Sequence, residues 1–161
     1  MPGPGGAPYV EYTDLPQYLP TQVLNLATVA QQQQACRDAT EEADSYIRGR
    51  FQLPLLDWGS DLRRYTAYIA IYLLMSGPIG WGATGGNPDQ NITTNYYRAV
   101  GWPDRPGTGW FPGIQRQAIQ PDVTPTIPVG QDRTHDAPQV SSQAPRGWQQ
   151  TRRGKPVVGG F

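Results

Sequence analysis

Between Gln31 and Met75 the chain carries nearly all of its regular apolar pattern. Ala35, Ala39, Ala43 and Tyr46/Ile47 recur at helical spacing, while Arg37, Asp38, Glu41 and Glu42 fall mostly on the other faces, which is the pattern of an amphipathic helix. Thr28 with Gln31 three residues later matches a capping box, so this helix is expected to start near Val29. Gly49 lies just past the last periodic residue, where a left-handed cap is least costly, and Pro54 forbids a quick resumption. A second stripe, Leu62, Tyr65, Ile69, Tyr72 and Leu73, has Tyr68, Ile71, Leu74 and Met75 on its remaining sides. It predicts a helix covered nearly all round, with Asp57 or Ser60 as its cap, Asp61 favourable in its first turn and Gly77-Pro78 at its end. The two helices are expected to fold back as antiparallel rods. Arg50 to Gly59 would be an extended connector lying over them and burying some of Phe51, Leu53, Leu55 and Leu56.

Shorter elements flank this pair. Met1 to Pro8 has no apolar period and reads as a flexible leader. Thr13 can cap a one- or two-turn helix over Leu15 to Leu19, and Pro20-Thr21 restarts another, with Val23, Leu24 and Leu26 as its apolar side. Gly77 to Gln90 is a Gly-rich loop, long for a compact domain, with Trp81 inside it. Asn91 or Asp89 can cap a helix lined by Ile92, Tyr96 and Ala99/Val100 and closed by Gly101. Pro103 to Gly109 is turn-rich, and Trp110, Ile114 and Ile119 allow one last short helix. Beyond Pro121 the period disappears and prolines recur among Thr, Gln, Ser and Gly.

Composition changes this picture in one respect. A hydrophobic fraction of 37% and a mean hydropathy of -0.56, with 19 Gly and 17 Pro, are low in apolar content for 161 packed residues, so part of the chain is expected to stay outside the core. The division predicted is a leader at 1–8, a helical core at 9–123 and an extended arm at 124–161. Thirteen basic and 13 acidic residues cancel, which gives no general attraction to a polyanion. Twelve of the 13 basic residues are Arg, Lys155 being the exception, and Arg suits bidentate and stacked contacts at interfaces. The arm's sparse anchors include Arg146, Trp148, Arg152, Arg153, Val157 and Phe161. Protein docking suits them better than nucleic acid, because the net positive excess there is small.

Candidate chemistry is thin. His135, the one histidine, lies between Thr134 and Asp136 in the Pro-rich region, where solvation is the simpler reading. No Gly-x-Ser-x-Gly elbow occurs, and Gly80 to Gly86 lacks the Lys-Ser/Thr ending of a phosphate-binding loop. Asp38, Glu41, Glu42 and Asp44 share one helix and read as its wet face, with Asp44 paired to a nearby arginine. Cys36, the one cysteine, excludes an internal disulfide and reads as a small buried hydrophobe. No catalytic residue, metal site or cofactor is expected. The longest apolar run, Tyr65 to Met75, is too short for a bilayer, so no membrane partner is expected and a soluble intracellular protein follows.

The run Asp44-Ser45-Tyr46-Ile47-Arg48-Gly49-Arg50-Phe51-Gln52-Leu53-Pro54-Leu55 carries a resemblance, together with Tyr12-Thr13-Asp14-Leu15 before it and Leu62 with Ala67 to Leu73 after it. This pattern resembles the small helical head-tail connector (head completion, or adaptor) proteins of tailed phages, of the kind found in phage Mu. Asn95 to Val100 is similar to that family's later helix, and Trp110 to Val123 to its closing segment, so the resemblance covers residues 9–123. Its core motif is Asp44, Tyr46, Gly49, Arg50, Phe51 and Pro54. The loop at 77–90 and the insert at 103–109 are longer than the family leads one to expect, and the arm lies outside the shared region.

The resemblance implies an all-α bundle of two long antiparallel helices plus shorter ones. It implies no enzyme activity. It implies a subunit of a homo-oligomeric ring, twelvefold, in the virion neck, contacting the portal protein and a tail-side connector or stopper protein, with DNA passing through the channel without sequence recognition. The arm would order on a neighbouring subunit or on the portal, and the isolated chain would be monomeric or weakly associated. The alternative class is a small helical DNA-binding packaging accessory protein.

Overall fold

The computed structural model describes residues 6–86 and 88–126. After a 3-10 turn at Tyr12–Gln17 come α1 (Thr21–Leu24), α2 (Val29–Ile47), β1 (Leu55–Trp58), α3 (Ser60–Ser76), a second 3-10 turn at Trp81–Thr84, α4 (Gln90–Val100), α5 (Trp110–Gln115) and β2 (Val123–Pro125). Among the described residues the fold is mostly helical, with one two-stranded sheet.

The capping box at the head of α2 forms as its residues dictate. The Gln31 amide donates to Thr28 Oγ1 at 3.3 Å, and the Thr28 amide donates to Gln31 Oε1 at 2.8 Å. Two amides that no helical carbonyl can reach are thereby satisfied. Gln32, buried, donates through Nε2 to the carbonyls of Leu24 and Ala27 and so joins α2 to the end of α1. Ala35, Cys36, Ala39, Ala43 and Ile47 line the buried face of α2, and their small side chains let α3 approach closely. Packed against α2, α4 and the first 3-10 turn, α3 is covered as its all-round pattern predicts, with Leu62, Ala67, Ile69, Ala70, Ile71, Leu74 and Met75 buried. Phe111 and Ile114 of α5 complete the core. Each fully buried Leu, Ile or Phe contributes roughly 1.5–3 kcal/mol.

Gly77 ends α3 and Asp89 caps α4, its Oδ1 accepting from the amides of Asn91 and Ile92 at 2.8 and 3.2 Å. Gly101 closes α4 at φ 101°, and Gly109 opens α5 at the same φ. A Cβ on Gly101 would stand 2.3 Å from the Thr108 carbonyl oxygen, and one on Gly109 2.4 Å from the Gly101 nitrogen. The turn-rich insert between them is therefore a closed loop whose neck admits no side chain.

Several local expectations are corrected. Gly49 has no positive φ. Instead the amides of Arg50 and Phe51 both donate to the Ile47 carbonyl, at 2.9 and 3.0 Å, so the helix end is satisfied by a right-handed turn and no left-handed cap is needed. Neither Asp57 nor Ser60 caps α3: Gly59 holds the N-cap position, Ser60 is the first helical residue, and Asp57 Oδ1 accepts from the amide of Trp58. Thr13 sits inside the first turn, where Glu11 is the cap residue. Leu26, assigned to an apolar face, is exposed.

The connector is more than a cover. Residues Leu55–Trp58 form a strand that pairs antiparallel with β2 in the register Leu55 with Pro125, Asp57 with Thr124 and Trp58 with Val123, with a bulge between Leu55 and Asp57. Leu55 is buried, Phe51 and Leu53 are half-buried, and Leu56, at the bulge, is turned out. β2 also takes the first residues assigned to the arm into the folded unit.

Candidate functional site

The motif that carries the family resemblance is built inward. Asp44, on the α2 face toward the N-terminal segment, accepts a hydrogen bond from the Tyr9 hydroxyl, where an arginine partner was expected. Burial holds the Asp44 carboxyl above the usual carboxylate range, with the Tyr9 bond and Arg48 opposing. Tyr9 is fastened on every side. Its amide donates to Thr40 Oγ1 at 3.1 Å, its carbonyl accepts from Trp58 Nε1 at 3.0 Å, and its ring meets the Trp58 indole edge-on at 5.0 Å. One residue thus ties the N-terminal segment to both α2 and β1. The periodicity of α2 could not reveal this, because Tyr9 lies outside it.

Tyr46 stacks on Phe111 at 5.6 Å, and Phe51 is half-buried against the core. Arg50 is the central clasp. Its Nη1 donates to the carbonyls of Ile114 at 2.9 Å and Ile119 at 3.2 Å, and its Nη2 to Gln120 Oε1 at 3.0 Å. The guanidinium adds to the Gln117 amide on the Ile114 carbonyl, near the negative end of the α5 dipole, and reaches the Ile119 carbonyl four residues beyond the helix. Pro54, after a cis Leu53–Pro54 bond, accepts at its carbonyl from the amide and the hydroxyl of Thr126. Gly49, with open space where a Cβ would stand, is the motif's free position.

Glu42 is also half-buried, so the carboxylates of α2 do not form a uniform wet face: Glu42 accepts from the Tyr96 hydroxyl at 3.4 Å. Burial raises the Glu42 carboxyl, and burial with the Glu42 charge pushes Tyr96 up to about 12. From Tyr96 a run of rings extends along the α3–α4 side. Tyr96 stacks on Tyr72 at 3.9 Å, Tyr72 meets Trp81 at 5.9 Å, and Tyr97 bridges Tyr96 to Trp102. The Gly-rich loop thus has an anchor in Trp81, half-buried on Tyr72.

The outer surface carries exposed Leu26 (60%), Val29 (52%) and Leu56 (65%). Between Pro8–Tyr12 and Gln33–Arg37 runs a groove of about 360 Å³ with Cys36 on its floor. Burial pushes the Cys36 thiol up to about 12, so at neutral pH it is a protonated hydrophobe rather than a nucleophile. Among the described residues no group of three potential metal ligands converges, and no helix is long and apolar enough to cross a membrane. Arg146, Trp148, Arg152, Arg153, Val157 and Phe161, the arm positions expected to bind a partner, lie outside the described residues, as does His135.

No curated protein and no solved structure matches the chain. Residues 9–105, from Tyr9 to Arg105, match the family described as "Bacteriophage Mu, Gp36". That span includes the fastening residues Tyr9, Asp44, Tyr46, Arg50 and Pro54, and the whole α2–α3–α4 body. The match extends over more than half of the chain, so the protein belongs to the bacteriophage Mu Gp36 family and is a phage structural or morphogenesis protein.

Proposed function

We propose that the protein is an adaptor subunit of the virion neck, forming a homo-oligomeric ring, twelvefold, between the portal protein and a tail-side connector or stopper protein. The ring extends the DNA channel without reading sequence. Family membership over the helical body is the observation that carries the reading. The inward motif fits it: Asp44, Tyr46 and Arg50 spend their polar groups and ring on this chain's own residues, which makes a rigid brick rather than a reaction centre. In this reading the arm uses Arg146, Trp148, Arg152, Arg153, Val157 and Phe161 to dock on a neighbouring subunit or on the portal. The protein is not an enzyme in this reading.

Labelling of negatively stained virions with antibody raised against the full chain tests the placement. Label at the head-tail junction is expected; label on the capsid shell or the tail tip, or none on intact particles, contradicts it. A steep fall of DNA affinity with salt in the isolated protein would favour the packaging-accessory class instead.

A further inference from the structure

The last described strand takes its backbone pairing from a single partner, while Val123 also packs against the hydrophobic core. Of the helices and strands, β2 packs substantially on β1 alone. The bonds around it have the same address: Gly59 N–H donates to the Asp122 carbonyl at 2.8 Å, and Thr126 N–H to the Pro54 carbonyl at 3.3 Å. Gly59 approaches Asp122 so closely that an added Cβ would stand 3.1 Å from the Asp122 Cβ. Residues 54–59 thus supply the backbone partners of residues 122–126, and a copy of β2 from another chain would find the same pairing there.

The link between β2 and the helices is short. Ala118 and Ile119 both donate to the Gly113 carbonyl, at 2.9 and 3.1 Å, and Arg50 holds Ile119 and Gln120. Only Pro121, itself buried, lies between the Gln120 that Arg50 holds and the Asp122 that Gly59 holds. Just before this link Gln117 stands at φ 62°, a left-handed conformation that a non-glycine residue holds at a cost of about 1 kcal/mol. A short connection leading to an element whose backbone pairing lies on one local receptor is the circumstance that favours exchange of that element between copies.

We propose that in the assembled ring β2 of one subunit pairs with β1 of its neighbour, closing the ring by strand exchange. This rests on the ring reading above and names the contact that closes it. Anchored at Ile119, Val123 can stand at most about 14 Å from it in a fully extended chain, so adjacent subunits must bring the receptor of one within that distance of Ile119 of the other. Within the single chain the strand pairs with its own β1.

Asp57 and Thr124 are opposed in the register and both exposed, and directly opposed strand residues lie within disulfide range. Asp57→Cys and Thr124→Cys are therefore made singly in full-length protein, mixed in equal amounts, assembled on purified portal and oxidised. Strand exchange predicts a covalent species of two chains, absent from the same mixture without portal. The double variant, oxidised as free monomer, should close within one chain, which establishes that the pair can bridge. If the mixed protein joins the portal but yields no two-chain species while the double variant closes internally, exchange is refuted and the adaptor reading stands. Failure of wild-type protein to join the portal refutes both.

Discussion

Replacing Arg50 by Met removes the clasp while keeping most of the aliphatic stem. Three hydrogen bonds are lost, two of them to the carbonyls of Ile114, in the last turn of α5, and of Ile119 beyond it. The third, to Gln120, is exposed and contributes little. Hydrogen bonds from a charged group contribute about 1.5–3 kcal/mol each where they are partly buried, and some of this returns as water reaches the freed carbonyls. A net loss of about 3 kcal/mol is expected, which for a folded unit of this size lowers Tm by about 10 °C. Arg50→Lys should recover less than half, because an ammonium keeps the charge near the helix end but cannot span acceptors in two directions as the planar fork does. Urea denaturation followed by tryptophan fluorescence gives both midpoints. The reasoning is refuted if Met costs less than about 0.5 kcal/mol, or if Lys matches Arg.

Three further outcomes follow from single residues. Thr66 is fully buried on α3 with its hydroxyl unpartnered, so Thr66→Val should stabilise the fold by about 1 kcal/mol in thermal denaturation; destabilisation would mean the hydroxyl has a partner such as water. Gly101→Ala should cost more than about 2 kcal/mol, since the new methyl meets the Thr108 carbonyl at a φ of 101°, and an unchanged Tm would contradict the closed neck. Glu42 has its carboxyl raised by burial, so its ionisation opposes folding, and the penalty grows as pH rises through the raised folded value. Glu42→Gln should therefore have a higher Tm than wild type at pH 8, with the gap narrowing as pH falls toward 5; a gap that widens on acidification would reverse the assignment.

The helical body was legible because its signals are local. Thr28 and Gln31 lie three residues apart and announce the head of α2, and Asp89 and Gly101 bracket α4 in the same way. The paired strands were not legible. Leu55 to Trp58 has no clean alternation, being bulged at Leu56, and its partner lies more than 60 residues further on in a Pro-rich context that looks like linker. The same distance hid Arg50, whose acceptors are 64 to 70 residues away, so a residue that suggests an interface proved to be an internal clasp. Arginines close to Asp44 in sequence suggest an ion pair, whereas a tyrosine 35 positions earlier supplies its hydrogen bond. Gly49 invited a left-handed cap that the Ile47 carbonyl makes unnecessary by accepting two amides.

The central claim is that this family member is a passive ring subunit seated on the portal, and direct mass measurement of purified portal titrated with the full chain tests it. A saturable complex carrying one copy per portal subunit is the predicted result. A portal mass unchanged at excess protein would contradict the account.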